Sequence, residues 1–302
     1  MATASSITQR SNAVFGPLFG PMGLQGGVLY VDKLTGSDAG RNGRNPTMPL
    51  KTIAQAISLS VDSDSIFINP GVYDESLNVA HTLSNLTLVG LGVRNAVEIK
   101  PTTIDTNALL LEGTNTRLVN LKATGSGLGV GAKSSGDYLL AENCVFSGGG
   151  DGIILTEGTA AEVGANAKDA GQAPRLIDCD IINAVSGLII EATDNGAIHD
   201  ILIQRCLFND CSAASITEAG GTASDRFRGL EVLDCTFGLG DTEGGALPTS
   251  WISLGANFSN TGLVSRCSFA GSNAVAGLNI VKGKVVWVSN YHTNGVSTGQ
   301  PA

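Results

Sequence analysis

RLIDCDIINAVSGLIIEA, residues 175–192, contains the pattern on which the fold turns. An apolar run leads into Asp178, a cysteine, one further residue and another apolar run; Ser186-Gly187 then opens a second apolar run. The first half recurs as LLAENCVF (139–146), LIQRCLF (202–208), EVLDCTF (231–237) and LVSRCSF (263–269). Its cysteines, Cys144, Cys179, Cys206, Cys235 and Cys267, lie 35, 27, 29 and 32 residues apart. RLVNLKA (117–123), NLTLVG (85–90) and VSNYHT (288–293) read as copies in which another apolar residue replaces the cysteine. The second half recurs as NALLLEG (107–113), DGIILTE (151–157), SAASITE (212–218), TSWISLG (249–255) and AGLNIVK (276–282). Two short strands per period, with spacing varied only by loop insertion, predict a chain coiled around a solid apolar core. Successive turns then pair as parallel strands about 4.8 Å apart, and equivalent residues stack.

Stacking predicts a column of inward cysteines that act as small polarizable core filler and remain free thiols. Cys211 falls outside this column. The residues before the cysteines, Asn143, Asp178, Arg205, Asp234 and Arg266, should point outward because strand side chains alternate. From Asp178 onward the sign alternates, which predicts a ladder of ion pairs up the surface.

Composition narrows the functional classes. The 302 residues include 40 glycines, 9 prolines and six cysteines, which suits short strands joined by tight corners and does not require disulfide staples. A net charge of −9, with 15 % charged residues, argues against a nucleic-acid partner, which needs a basic face. No apolar run approaches the ~20 residues of a membrane span, so no membrane partner is expected. MATASSITQR at the start lacks a basic segment followed by an apolar one, and the expectation is a protein made in a reducing cytosol.

A second pattern lies near the start. In residues 36–45 Gly, Asp and Asn dominate, as in loops. Thr52 to Ser60 carries Ile53, Ala56, Ile57 and Leu59 at near-helical spacing, behind Pro49. SIFINPGVYDESLNV (65–79) then predicts a strand, a Pro-Gly corner and a strand. Taken together, YVD…GSD…TIAQAI…PGVYDE resembles the opening segment of pectin-lyase-like proteins. The resemblance, which covers about residues 28–293, implies an all-β, single-stranded right-handed parallel β-helix (solenoid). It also implies a short capping α-helix, with Gly71-Val72-Tyr73-Asp74-Glu75 opening the first full turn. The expected division is an extended N-terminal arm (1–28), cap and first turn (29–80), β-helix (81–293) and C-terminal tail (294–302). The same opening occurs in esterases, lyases, bacteriophage spikes and inactive proteins, so it implies fold rather than function.

The catalytic sets of those enzymes are missing. There is no Asp-Asp, His-Gly or Arg-x-Lys pair of the polygalacturonase kind, and no Gln-Asp-Thr or Asp-Phe-x-Phe-Gly of the pectin-esterase kind. Asp178, Asp180 and Asp234 are the weak catalytic candidates. Two rungs separate Asp178 from Asp234, about 9.6 Å, at the far edge of an inverting glycosidase pair. Arg205 between them would keep both ionised, whereas a general acid needs a raised pKa. His81, His199 and His292 have no partners at ligand spacing, so neither a metal nor another cofactor is expected. The longest insertions, 157–174, 218–229 and 238–249, should all follow the second strand and emerge on one side.

Residues 13–27, AVFGPLFGPMGLQGG, form an uncharged stretch whose apolar anchors need a surface to dock on. Phe15, Leu18, Phe19, Met22 and Leu24 are the expected partner-binding residues, against another subunit or, failing that, the chain's own coil. The functional expectation is a non-enzymatic component of a bacteriophage particle, a capsid decoration, cement or spike-type protein. It would be assembled in the host cytoplasm as a homotrimer and held on a major capsid or other particle protein by the arm. A polysaccharide-degrading tailspike-like enzyme and a glycan-binding adhesin are the alternatives.

Overall fold

The structure, a computed structural model, describes residues 26–40, 42–157, 172–191, 198–219, 227–238, 250–254, 262–270, 285–292 and 297–298. The arm residues Phe15 to Leu24 lie outside the described residues. The chain winds as a right-handed parallel β-helix with three faces, here A, B and C. Face A is a ladder of ten parallel strands: Val28–Val31, Ser65–Ile68, Thr87–Gly90, Arg117–Val119, Leu140–Glu142, Arg175–Ile177, Leu202–Gln204, Leu230–Leu233, Gly262–Ser265 and Val285–Val288. Each of these strands defines a rung. Face B runs from Gly71–Tyr73 to Asn290–His292, and face C from Leu77–Val79 to Ser250–Ser253. On two rungs B and C are one bent strand, Asp180–Glu191 and Leu207–Ala219, whose pairing shifts between Ala184 and Ser186.

Full turns therefore carry three strands, where the repeat predicts two. The missing boundary lies inside the cysteine motif. Asn120, Asn143, Asp178, Arg205, Asp234, Arg266 and Ser289 all have φ between 53° and 56°, so each is a one-residue left-handed corner that turns the chain from face A to face B. These residues face outward because the corner throws them out, not because a straight strand alternates. Asn and Asp tolerate this conformation well; Arg does so only where its surroundings hold it.

The register stacks like on like. Ile66, Leu88, Leu118, Ala141, Leu176, Ile203, Val232, Val264 and Trp287 form one inward column of face A. Phe208, Phe237 and Phe269 stack on face B with ring centroids 5.1 and 4.6 Å apart and planes 7° apart. Just past the corner stands the cysteine column, Cys144 to Cys267, buried and free, as is Cys211 beside Ala184. Thiol donors reach backward: Cys179 Sγ to Ala141 O at 3.4 Å, Cys206 to Leu176 O at 3.4 Å, Cys267 to Val232 O at 3.5 Å. The last rung departs from expectation, because its residue at this place is polar. Asn290 is fully buried, accepts from Cys267 N at 2.9 Å and donates to Val264 O at 2.9 Å. An amide that satisfies both of its ends can replace a thiol at no cost in unpaired groups.

Burial pushes the thiols up: Cys144 well above its ordinary value, and Cys211 to about 12. Cys235 is also pushed up to about 12, through its hydrogen bonding with neighbouring thiols and burial. Cys267, hydrogen-bonded by Cys235 and next to the last rung, is instead held below its ordinary value. A thiol reagent should thus find none of the six in the native protein and all six in denaturant. At intermediate denaturant Cys267 should react first; rapid native labelling of Cys144 or Cys179 would contradict this packing.

The helix α1 (Ile53–Leu59) closes the open end of the coil, with Ile53, Ala56 and Ile57 in the main core. Thr52 is its N-cap, accepting from Gln55 N at 3.3 Å. The Gly-Val-Tyr-Asp-Glu motif serves this closure. Glu75 accepts from Ile53 N and Ala54 N at 3.0 and 2.8 Å, Tyr73 donates to Asn69 O at 2.8 Å, and Asp74 pairs with Lys33 at 2.9 Å. The motif that carries the family resemblance thus builds the cap, which is why it marks fold and not chemistry.

Candidate functional site

The three carboxylates singled out in the sequence come from the A–B corner and the start of face B. Arg205 donates to both oxygens of Asp178, each at 2.7 Å, and Arg266 to both of Asp234 at 2.6 and 2.8 Å. These hydrogen bonds hold both carboxyls below the usual carboxylate range. A general acid needs the opposite shift. Asp180 pairs with Arg94 at 3.0 Å. Arg94 comes from the loop after the Thr87–Gly90 strand and also donates to Asp178 O at 3.0 Å, strapping the corner from outside. Below the charged pairs the corner continues as amides: Asn143 donates to Asn120 Oδ1 at 3.0 Å, and Asn120 to Gly90 O at 2.9 Å. The corner is one side-chain ladder, charged at one end and neutral at the other. The structure brings Asp178, Asp180 and Asp234 onto this ladder, where each has an arginine within ion-pair distance, and does not gather them in a cleft.

Face C presents a different row to its exterior: Asn78, Leu110, Lys133, Ile154, Ile189, Thr217 and Ser253, stacked rung on rung. No carboxylate stands in it. At its far edge, where the chain leaves toward face A, Glu157, Glu191 and Glu218 lie on three successive rungs. Glu157 is buried, and Glu191 lies 3.9 Å from Lys133 Nζ. Sequence reasoning passed over these glutamates, although the signal was in the repeat: LTE, IIE and ITE each end a second-series run. Among the described residues no three His, Cys, Asp or Glu side chains are placed to hold a metal ion. His199 Nδ1 lies 3.1 Å from its neighbour Asp200 on a two-residue strand.

The insertions do not all emerge together. Those beginning after Glu157 and Ala219 leave from the C–A corner, but the one after Gly238 lies between face B and the face C strand Ser250–Ser253. Nothing in the repeat marks a boundary between B and C, so on the repeat alone all three follow the same strand. An open pocket of about 520 Å³, lined by Gly40, Asn42, Asn45 and Met48, sits in the loop before α1, apart from both carboxylate groups.

No protein-family model and no curated protein match this sequence. Solved structures do match it. An Escherichia coli protein, YbhC, superposes with a TM-score of 0.63 at 14 % identity, over 91 % of this chain and 87 % of the other. A pectin methylesterase in complex with a hexasaccharide gives 0.62 at 14 % identity, over 89 % and 90 %. The pectate lyase Pel9A gives 0.63 at 14 % identity, over 88 % and 70 %. Likeness at this identity concerns the path of the backbone. The chain has the pectin-lyase-like parallel β-helix fold.

Proposed function

We propose that the protein is a non-enzymatic structural β-helix, a decoration, cement or spike-type component of a bacteriophage particle, attached through its N-terminal arm and assembled as a homotrimer. The observation that carries the non-enzymatic part is the bidentate pairing of Asp178 with Arg205 and of Asp234 with Arg266. Carboxylates held ionised in this way cannot supply a proton at neutral pH, and the exterior row of face C offers no replacement pair. The uncharged segment 13–27 and the buried free thiols support the assembly part of the reading.

One observation favours a second reading, a polysaccharide-cleaving protein: Glu157, Glu191 and Glu218 lie on three successive rungs beside the C–A corner, offset in register so that Glu191 stands opposite Thr156 and Glu218 opposite Ile190. The structural neighbours include enzymes that act on pectin, which suits this reading as well as the first. A single experiment separates them. The intact protein and its E157Q/E191Q/E218Q variant are incubated with methyl-esterified pectin, polygalacturonate and bacterial surface polysaccharides, and methanol, reducing ends and unsaturated products are measured. Absence of product, together with a trimer by light scattering whose particle attachment is lost on deleting residues 1–27, is the expected result. Turnover abolished by the glutamine substitutions would establish the second reading and end the first.

A further inference from the structure

The exterior of face A changes character along its length. From Arg117 to Ser265 each rung shows one polar and one apolar side chain, and the two exchange places at every step: Arg117 with Val119, Leu140 with Glu142, Arg175 with Ile177, Leu202 with Gln204, Glu231 with Leu233, Leu263 with Ser265. This checkerboard keeps apolar groups from joining into a stripe, and Arg117 bonds Glu142 across it. The first three rungs abandon it. Val28 and Tyr30, Phe67, Val89 and Leu91 form one apolar patch with Val119 at its border. Phe67 and Tyr30 stack at 5.9 Å.

Phe67 is 2 % exposed and Val89 5 %, although both point away from the coil's core, between inward neighbours such as Ile66, Ile68 and Leu88. Neighbours lying side by side on one sheet surface cover each other's flanks, not their tops. A ring buried to this degree on an outer face needs a layer above it.

We propose that this layer is the chain's own segment 13–24, docked on rungs 1 to 4 of face A through Phe15, Leu18, Phe19, Met22 and Leu24. The chain enters its first strand at the patch itself. Gly27 N donates to Asp64 Oδ1 at 2.7 Å, and at Gly26 a Cβ would come within 2.0 Å of Ser63 O, so the backbone is threaded tightly against the coil immediately before Val28. Three residues, Gln25, Gly26 and Gly27, separate Leu24 from Val28. Residues 15–24 extended would reach roughly 33 Å, whereas the patch spans three strand spacings, about 14 Å. A tether this short gives an effective concentration in the millimolar range, which favours the chain's own arm over a neighbour's. The segment has no charge between Arg10 and Asp32, so it brings no unpaired ion onto the patch. Docking on its own coil is where the arm rests in the unassembled chain; it stands whether or not the protein belongs to a particle.

The test uses the full chain with L18C and V119C, joined by a short bis-maleimide; the six native thiols are buried. The expected product is an intramolecular cross-link whose yield does not change over a hundredfold range of protein concentration. Its yield should exceed that of a control pair, L18C with S253C on face C, at least tenfold. A dimeric product that grows with concentration would assign the patch to a second copy's arm and overturn the proposal, as would equal yields from the two pairs. A second measurement uses chymotrypsin, which cuts after Phe15 and Phe19. V119D should speed those cuts at least tenfold while leaving the coil intact; an unchanged rate would also overturn it.

Discussion

Phe237→Ala should lose about 3–5 kcal/mol of unfolding free energy, toward the upper end, when followed by urea titration. Phe237 is fully buried in the middle of the face B stack, with Phe208 at 5.1 Å, Phe269 at 4.6 Å and Trp251 at 6.2 Å. Truncation removes its burial, leaves a cavity between two rings that cannot both close on it, and ends two offset-stacked contacts worth about 0.5–1.5 kcal/mol each. Rungs contact only their neighbours, so the lesion should be local. Amide exchange should accelerate on the strands around Phe208, Phe237 and Phe269 and hardly change near Leu109. A loss below about 1 kcal/mol, or uniform acceleration along the coil, would show that the stack is not packed as described.

Arg44→Ala should cost about 2–3 kcal/mol at neutral pH, less than the 3–5 kcal/mol of a wholly enclosed pair, because the guanidinium is about one-third exposed. Its partner Asp64 is fully buried, with Arg44 Nη2 at 2.8 Å and Nη1 at 3.2 Å, Gly27 N at 2.7 Å and Val61 N at 3.0 Å. Burial alone would raise this carboxyl; the bonds from Arg44, Val61 and Gly27 outweigh it and hold the group below its ordinary value. A depressed folded-state value means that the stabilisation is present above the unfolded pKa of about 3.9 and is lost as pH falls through the folded value. The gap between native and variant proteins should thus be widest near neutrality and close below about pH 4. A gap that is constant with pH would place the effect of Arg44 in its packing and not in its charge.

Much of the fold was legible because stacking copies chemistry from rung to rung. Cys144, Cys179, Cys206, Cys235 and Cys267 marked one buried column, and the Asp178–Arg205 and Asp234–Arg266 pairs followed from alternating sign. The corner was not legible, because the same residues read equally well as part of a straight strand. Asn143 and Asp178 are residues that favour a left-handed φ and could have revealed it, but Arg205 and Arg266 at the same place conceal it. Once the corner was missed, three strands per turn became two, and the insertion after Gly238 was assigned to the wrong edge. The glutamates at 157, 191 and 218 were overlooked for a different reason. Each lies at the end of an apolar run, where a single carboxylate reads as ordinary strand termination until register places the three on successive rungs.

The one-residue corner also decides where this molecule can change length. One residue added or removed between Ile177 and Cys179 would turn the whole of the next strand inside out, since strand side chains alternate with a period of two. Every rung from Asn120 to Ser289 keeps the corner at one residue, while the chain between Glu157 and Gln172, or between Gly238 and Ser250, varies freely in length from turn to turn. The protein is therefore bound along one edge like a book. New segments, whether evolved or grafted, can be inserted at the two open edges without disturbing the binding, and peptide insertions placed there should leave the coil folded where the same insertion beside Asp178 would not.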